Sequence, residues 1–483
     1  MGLAGILLGL GALVWLSFRG WSVLVLAPAA ALVAALLAGE PLLAHWTQTF
    51  MGAAAAFLAQ FFPLFLLGAL FGKLMQDSGS VSAIAQFMTE KLGPGRAILA
   101  VVLAGALVTY GGVSLFVAFF VLGPMAQELF RAANIPGRLM PAAIVLGTST
   151  FTMSALPGTP SIQNAIPMPF FGTTPFAAPG LGVIAAAIML GFGLWWLARA
   201  EAAARRAGEG YGDTAVAPDA AADDPLVRER ATTAAAFDPA EVHHGRHGEG
   251  VPRIALAILP LVTVVLVNLA MSLVVLRRLN TAFLAEERWG RIALASVSGV
   301  WSVIVALATA ILVLVVLNRG RLPSPRETVD AGANASALPV LSVASLVGFG
   351  AVVGALPAFA LVREWVLSIG GGPLVSLAVA SNVLAALTGS ASGGMTIALG
   401  ALGDTYLRLA AQLGIDPGLL HRVAVIGAGT LDTLPHNGAV VTLLAVCGST
   451  HRKSYFDILI AGVVGPILAL VAVIALGSAL GSF

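Results

Sequence analysis

The stretch T-L-P-H-N-G-A-V at 433–440 interrupts a long run of hydrophobic residues. A second stretch of the same character, S-A-L-P-G-T-P-S at 154–161, interrupts another hydrophobic run in the first half of the chain. Proline removes a backbone amide donor and glycine permits backbone angles that other residues avoid, so helices stop at such positions. The two stretches therefore predict a broken membrane helix in each half of the chain.

The sequence around each break is also repeated. Three pairs of stretches keep the same order: T-Y-G-G-V-S-L-F (109–116) with T-G-S-A-S-G-G-M-T (388–396), N-I-P-G-R-L (134–139) with G-I-D-P-G-L-L (414–420), and Gly93-Pro94 with Gly372-Pro373. A duplicated hydrophobic unit interrupted by glycine and proline is typical of secondary transporters, whose substrates bind at the breaks.

Residues 97–109 are too few to cross a membrane. At 1.5 Å per residue they span about 20 Å, whereas the hydrocarbon core is about 30 Å thick. Gly111-Gly112 then turns the chain and 113–130 returns, a design that 374–412 repeats. Because a turn exposed to lipid is forbidden, we predict two re-entrant hairpins with tips buried in protein or facing a water-filled cavity. The alternative is that each hairpin is a pair of ordinary crossings.

Composition places the chain in a membrane. Of its 483 residues, 58% are hydrophobic and 10% are charged, and the mean hydropathy is +0.95. Soluble domains carry about 25% charged residues. The segments 179–198, 252–276 and 292–317 exceed the roughly 18 apolar residues that mark a membrane helix. The fold class predicted is an all-α polytopic membrane protein.

Five regions follow from these segments. They are N-terminal transmembrane helices in 1–54, a first repeat in 55–199, a cytoplasmic linker in 200–251, two connecting transmembrane helices with loops in 252–337, and a second repeat in 338–483. The first repeat has an odd number of crossings and two more follow it, so the second repeat is predicted to be inverted relative to the first. Lys and Arg concentrate on the linker's face, which places that face in the cytoplasm and both termini outside it. Arg422 is assigned to the opposite face.

The linker is rich in Ala and charged residues and has almost no apolar periodicity, so we predict that it is disordered. Its His243-His244-x-x-His247 tract lacks the Cys or carboxylate that would complete a metal site with ligand spacing. A solvated tract is therefore favoured over a metal site.

The helix breaks contain neither Lys nor Arg, yet they suit an anion. A restarting helix presents free N–H groups and the positive end of its dipole, about half a charge. The side chains around the breaks are compact hydrogen-bonding groups, for which local capping or packing is the alternative role. The candidate substrate-binding residues are Thr109, Ser114, Thr159, Ser161, Asn164, Thr388, Ser390, Ser392, His436 and Asn437.

Asp432 is the only acidic residue in its apolar segment. Ionisable groups inside membranes are expensive and usually functional, so Asp432 is the first candidate to carry a coupling proton. His436, four residues later, is the second. The alternatives are that Asp432 caps the broken helix and that His436 is a neutral structural donor.

Other function classes fit less well. An intramembrane serine protease would pair a Ser with a His, but position 390 is Ser where the motif G-x-S-G requires Gly. A sodium-coupled carboxylate transporter and a passive anion channel remain alternatives. We expect no catalytic residue, cofactor, metal or nucleic-acid partner; membrane lipid and a small organic anion are the expected partners.

The segment 433–451 (T-L-P-H-N-G-A-V-V-T-L-L-A-V-C-G-S-T-H), together with G-A-L-F-G-K-L-M-Q-D-S-G at 68–79, resembles the GntP-type gluconate permeases of the ion transporter superfamily. The resemblance covers nearly the whole chain apart from the linker. It implies inverted repeats, a homodimer in the bacterial inner membrane, and elevator-like alternating access. It also implies proton-coupled symport of small hydroxy-acids such as sugar acids, D-serine or hydroxybutyrate.

The resemblance adds residues to the candidate site. Gly111, Gly112 and Gly393, at the hairpin tips, would line it with the Ser and Thr residues near the breaks. The chain departs from the gluconate branch, which carries S-H-V-N-D-x-G-F where this sequence has Pro435 to Val440. Because the Asp of that motif is missing here, a shorter monocarboxylate such as 3-hydroxybutyrate becomes a plausible substrate.

Overall fold

The structure, a computed structural model, describes residues 2–212, 225–234, 237–245, 248 and 250–483. In these ranges all regular secondary structure is helical. Seven of the described helices are long and apolar enough to cross a membrane, and an eighth span is counted if Ser80–Leu92 and Pro94–Tyr110, bent by 99°, are taken as one. The all-α, multi-span class predicted from composition is confirmed.

The helices are numbered in chain order, and short connecting helices carry no number. They are α1 Gly2–Phe18, α2 Val23–Ala38, α3 Leu42–Asp77, α4 Ser80–Leu92, α5 Ala97–Tyr110, α6 Leu115–Ala132, α7 Met140–Thr148, α8 Pro179–Arg206, α9 Pro225–Ala234, α10 Ile254–Arg278, α11 Leu294–Leu317, α12 Pro325–Ala355, α13 Phe359–Leu367, α14 Gly372–Thr388, α15 Ala391–Leu413, α16 Pro417–Thr430, α17 Gly438–Val446 and α18 His451–Leu480.

Three helices run past the region boundaries expected from the sequence. α3 begins at Leu42 rather than near 55, α8 continues to Arg206 rather than ending at 199, and α12 begins at Pro325 rather than at 338. The expected boundaries followed apolar content alone. Each further helical residue gains a backbone hydrogen bond without a new nucleation cost, so these helices extend into the polar sequence that flanks their apolar stretches.

Each hairpin turns at a glycine in the left-handed region and restarts at a serine. Gly112 has φ +100° between α5 and α6, and Gly389 has φ +65° between α14 and α15. The Ser114 Oγ accepts a hydrogen bond from the Phe116 amide (3.3 Å), and the Ser390 Oγ accepts one from the Gly393 amide (3.1 Å). Both serines are therefore N-caps of the return helices.

The helices stop at the predicted breaks. α7 ends at Thr148, and the short helices Phe151–Ser154, Ile162–Ala165 and Pro167–Phe171 follow before α8. α16 ends at Thr430, and α17 restarts at Gly438. In each repeat the outgoing hairpin helix packs on the helix that precedes the break, α5 on α7 and α14 on α16.

These two contacts depend on corresponding glycines. A Cβ at Gly147 of α7 would collide with the Val102 carbonyl oxygen of α5 and lie 3.1 Å from the Val102 Cα. A Cβ at Gly427 of α16 would lie 3.3 Å from the Ala378 carbonyl oxygen of α14. Small residues let membrane helices approach closely, and the same device serves both repeats.

Gly147→Val should destabilise the protein strongly. The added atoms meet backbone of α5, which cannot rotate away as a side chain can, and overpacking of this kind costs about 1–3 kcal/mol or more. Gly191→Val in α8 is the matched control, because no atom lies within 4 Å of a Cβ built there. Thermal unfolding in detergent measures the difference; equal melting temperatures for the two variants would contradict the close packing of α5 on α7.

α3 and α12 pack along each other at the centre of the molecule. A Cβ at Gly332 would lie 3.0 Å from the Leu70 Cα, so this crossing also needs a glycine. α11 packs against α3 and against α10, and α12 also contacts α2. α3, α10, α11 and α12 therefore form a continuous body beside the two hairpins.

The linker is not disordered throughout, in contrast to the sequence prediction. Residues 225–234 form α9, in which Ala231 is fully buried, and Phe237 is fully buried just after it. α9 packs against α12 and α17. Composition misled here because the few apolar residues of the linker are used for docking onto other helices rather than for a core of their own. His247 of the histidine tract lies outside the described residues, and His244 pairs with Glu241 at 3.0 Å.

Candidate functional site at the second helix break

The second break is a turn held by a polar cap. Pro435 has no amide hydrogen, and the chain turns from α16 into α17 between Leu431 and Asn437. The Asn437 Oδ1 accepts a hydrogen bond from the Ala439 amide at 2.7 Å. Asn437 is thus the N-cap of α17, and one free amide of this restart already has a partner.

Asp432 lies at the start of the other restarting helix. Its Oδ1 accepts a hydrogen bond from the Ala391 amide (2.8 Å), the first residue of α15. The same oxygen accepts a second hydrogen bond from the Asn437 Nδ2 (2.9 Å). A carboxylate is stabilised at a helix N-terminus by the free amides and the dipole. The chain therefore places its own anion where the sequence predicts a substrate anion.

Two further contacts join the break to the tip of the second hairpin. His436 Nε2 lies 3.0 Å from the Ala386 carbonyl oxygen; since a carbonyl can only accept, this nitrogen carries the hydrogen. Asn437 Nδ2 donates to the Gly389 carbonyl at 2.9 Å. The predicted residues Asp432, His436 and Asn437 are thus brought together around one hairpin tip.

The hydroxyl groups of this tip are also engaged. Ser390 Oγ donates to the Thr233 carbonyl of α9 at 2.9 Å and lies 3.1 Å from the Ser392 Oγ. Thr388 Oγ1 donates to the Leu384 carbonyl at 2.8 Å. In this conformation the Ser390 hydroxyl joins the tip to α9, whereas the Thr388 hydroxyl bonds only within the hairpin. Gly393 lets α15 pack closely against Leu346 of α12, because a Cβ at position 393 would lie 2.5 Å from the Leu346 Cδ1.

The first hairpin tip is closed on its own break in a similar way. Tyr110 Oη donates to the Pro157 carbonyl at 2.8 Å. A Cβ at Gly112 would lie 2.9 Å from the Pro160 Cγ. Thr109 Oγ1 donates back into its own helix, to the Gly105 carbonyl at 2.8 Å.

α10 covers the first tip. A Cβ at Gly111 would lie 2.8 Å from the Leu261 Cβ, and Asn268 Nδ2 donates to the Gly158 carbonyl at 3.0 Å. Ser161 Oγ donates to the Met153 carbonyl at 2.9 Å. Thr159, 1% exposed, accepts a hydrogen bond from the Ser161 amide at 3.4 Å. The groups that make these contacts at the first break are uncharged, whereas the second break contains the carboxyl group of Asp432.

Asn164 is fully buried, like Ser390, and its partners lie outside the hairpin tips. Its Nδ2 donates to the Thr159 and Pro175 carbonyls at 3.0 and 3.1 Å. Its Oδ1 lies 3.1 Å from the Nε2 of His421 on α16. Both N–H groups and the oxygen of Asn164 thus have protein partners, so in this conformation it joins the first break to α16.

Two buried residues of α16 were not identified from the sequence. His421 reaches Thr173 Oγ1 through its Nδ1 at 2.6 Å as well as Asn164. Arg422 is fully buried and donates to the Ser154 carbonyl (3.1 Å) and to the Ala177 carbonyl, through Nη2, at 2.6 Å. The count of Lys and Arg placed Arg422 on the side of the membrane opposite the linker; that side stays a prediction, and the structure shows that Arg422 is buried among helices. Their only signal in the sequence is their position within the apolar run that follows Pro417.

A narrow cavity opens at the second break. It is bounded by the hairpin tip, the break, α9 and the N-terminal helices; the residues that line it are Ser17, Trp21, Val23, Glu229, Arg230, Thr233, Thr388, Gly389, His436 and Gly438. Thr388 and His436 were predicted as site residues. Arg230 was not, because it comes from the linker. The cavity, about 20 Å³ in volume, thus brings hydroxyl and imidazole groups together with the Arg230 guanidinium and the Glu229 carboxylate. In this conformation it has room for about one water molecule, so a substrate could enter only after the surrounding elements move.

Comparison with known proteins agrees with a transport role. A model of the GntP family permeases matches residues 1–168. The protein described as the uncharacterized transporter YxjC of Bacillus subtilis (strain 168) is 40% identical over 461 residues, which cover 94% of each chain. The structure of MtrF from Neisseria gonorrhoeae, described as illuminating a class of antimetabolite efflux pumps, has a TM-score of 0.54 at 14% identity and covers 90% of this chain and 85% of that chain. The YdaH transporter of Alcanivorax borkumensis has a TM-score of 0.49 at 17% identity, with 90% and 87% covered.

Proposed function

The chain belongs to the GntP family of permeases, and from this premise we propose that it is a secondary active transporter that carries a small hydroxy-carboxylate together with a proton. The family makes the protein a membrane transporter rather than an enzyme. The substrate, the coupling ion and the mechanism are the parts that we propose.

Reciprocal packing supports two inverted repeats. The short helices that restart after the first break, Ile162–Ala165 and Pro167–Phe171, pack on α15, the return helix of the second hairpin. α17, which restarts after the second break, packs on α6, the return helix of the first hairpin. Elements that exchange contacts in this way are the pattern expected of a two-fold relation. An elevator-like movement would carry the hairpins and broken helices past α3, α10, α11 and α12.

The position of Asp432 is the observation on which the function rests most. Its carboxylate holds the Ala391 amide at the start of α15, and a substrate carboxylate would seek the same positive helix end. Two carboxylates about 4 Å apart repel by roughly 4 kcal/mol at an effective dielectric constant of 20. The Asp432 carboxylate and the substrate carboxylate can therefore stay together only if one of them takes up a proton. This requirement would couple substrate binding to proton uptake.

The remaining groups of the cavity set the substrate class. Arg230 supplies positive charge, and Thr388 and His436 supply groups that pair with hydroxyls. The absence of the gluconate branch's Asp between Pro435 and Val440 favours a short chain such as hydroxybutyrate over a larger sugar acid. The homodimer, the inner-membrane location and the outward termini stay predictions from the sequence.

Transport in proteoliposomes tests the function. We expect purified protein to accumulate a labelled short hydroxy-carboxylate when a proton gradient is directed inward, and to lose accumulation on addition of a proton ionophore. Uptake that is unaffected by the ionophore and requires sodium would contradict proton coupling and support the sodium-coupled alternative. Flux without saturation, at the rates of a pore, would contradict a carrier and support a channel. Empty liposomes under the same gradients are the control.

A further inference from the structure

α9 lies directly on the second helix break. A Cβ at Gly438, the first residue of α17, would collide with the backbone of Arg230 and Ala231. The Thr233 carbonyl, near the end of α9, accepts the hydrogen bond from Ser390 at the hairpin tip. The linker therefore contacts both restarting helices of the second break.

A second segment, the strap at 237–245, anchors α9. Arg228 of α9 is paired with Asp238 of the strap, with Nε–Oδ1 at 2.8 Å. The Asp238 amide donates to the Ala335 carbonyl of α12 at 2.9 Å. Hydrogen bonds to Asp238 raise the pKa of Arg228 above its usual value, so this guanidinium stays charged.

The strap is fastened to α3 as well. Lys73 Nζ donates to the Val242 carbonyl at 3.1 Å and pairs with Asp77 at 3.0 Å, both side chains being fully buried. Asp77 in turn accepts a hydrogen bond from Thr328 of α12 at 2.7 Å. On the opposite side of α9, Glu229 accepts a hydrogen bond from the Ser22 Oγ at 3.1 Å. A segment fastened to α2, α3 and α12 is a built part of the molecule rather than a passing tether.

These contacts leave the helix starts at the second break without room for a substrate. The Ala391 amide holds Asp432, the Ala439 amide holds Asn437, and the start of α17 faces the backbone of α9. Asp432 and Asn437 belong to the second repeat, whereas α9 belongs to neither repeat. A substrate that enters or leaves on the side of the linker must displace it.

We propose that α9 and the strap are a lid of the transport site: the lid closes the second break on the linker's side, and its Arg230 is the cation that meets the substrate carboxylate in the cavity. The second part rests on the proposed function, whereas the first does not. Arg230 lines the cavity together with Gly389 and His436. Glu229 of α9 also lines the cavity, but its carboxylate accepts hydrogen bonds from the Ser22 hydroxyl and the Val23 amide. Closing the lid thus brings the Arg230 guanidinium to the cavity with the Glu229 carboxylate already engaged by α2.

Cysteine labelling tests the lid without any substrate. Thr233→Cys in a Cys447→Ala background places a thiol at a position that is 4% exposed, and its bond to Ser390 uses only backbone. We expect slow reaction with a maleimide in purified protein. Adding Asp238→Asn, which breaks the ion pair of the lid, should speed labelling about tenfold or more because α9 then opens more often.

The matched control is Asp330→Asn, which breaks the Arg326–Asp330 pair at 3.8 Å between two exposed side chains at the start of α12. We expect it to leave labelling unchanged. Fast labelling in the background protein would show that α9 is not docked, and equal rates with and without Asp238→Asn would show that the ion pair does not hold it. Either result overturns the lid.

Arg230 variants test the cation. We expect Arg230→Gln to raise the KM for a hydroxy-carboxylate about tenfold with little change in the maximal rate, and Arg230→Lys to restore part of the affinity because it restores the charge. Arg326→Gln, at an exposed site, is the control. An unchanged KM in Arg230→Gln overturns the role of the cation. If the unaltered protein transports no hydroxy-carboxylate, both the proposed function and the role of Arg230 are contradicted. The cysteine-labelling experiment does not depend on transport and still tests the lid.

Discussion

Asp432→Asn should abolish accumulation driven by a proton gradient while exchange of labelled for unlabelled substrate survives. Asn has nearly the shape of Asp, and its oxygen can still accept the hydrogen bonds from Ala391 and Asn437 that Asp432 accepts. What Asn cannot do is gain and lose a proton. Because exchange returns the site to its starting state without releasing the proton, that activity does not need the carboxylate. Both activities are measured in the same proteoliposomes.

Asp404→Asn is the control for this prediction, since Asp404 is an exposed acid on α15, the helix that Asp432 caps. We expect it to transport normally. If Asp432→Asn still accumulates substrate against the gradient, Asp432 is a structural cap and the proton role passes to His436, because histidine is the side chain that ordinarily exchanges protons near neutral pH. Loss of exchange together with accumulation would instead show that the hairpin tip has lost its shape.

Arg422→Met should lower the free energy of unfolding by several kcal/mol. Arg422 is fully buried and donates hydrogen bonds to two carbonyl groups. These belong to Ser154 and Ala177, which lie on either side of the first break. Met keeps most of the volume but donates nothing. Each buried carbonyl left unpaired costs about 1–3 kcal/mol, so the expected loss is roughly 2–6 kcal/mol.

Thermal unfolding of the purified protein measures this effect. Arg408→Met is the matched control, because Arg408 is exposed on α15 and donates to Thr405 Oγ1 at 3.3 Å. The control should melt within about a degree of the unaltered protein, as surface substitutions usually change stability by under 0.5 kcal/mol. Equal melting temperatures for the two variants would contradict a structural role for the buried guanidinium.

The sequence singled out Asp432, His436 and Asn437, and the structure brings all three together at the tip of the second hairpin. This was possible because a polar or ionisable residue in an apolar membrane segment is costly and therefore conspicuous. The repeated order of Gly and Pro then related the hairpins to the breaks before any contact was known. Whether these residues bind substrate and carry the proton stays a prediction, which accumulation and exchange in proteoliposomes decide.

The roles of other polar residues could not be predicted from the sequence in this way. Asn164 has the same hydrogen-bonding groups as Asn437 and is also buried, yet it joins two carbonyls to His421 rather than contacting a hairpin tip. A side chain's polarity shows that it needs partners but does not say whether those partners are protein or substrate. The partners of Arg422 are the Ser154 and Ala177 carbonyls, which are distant in sequence, so no local pattern could predict them.

The sequence by itself determined the membrane class, the internal repeat, and the places where helices stop, because hydropathy and the backbone limits of Gly and Pro act locally. Only the tertiary structure decided what covers the second break. The linker's composition predicts disorder, since it cannot bury enough apolar surface alone. Docked on α12 and α17, α9 buries Ala231, and its Arg228 pairs with Asp238 of the strap. The free energy that orders this segment comes from surfaces distant in the chain, and no local pattern can report it.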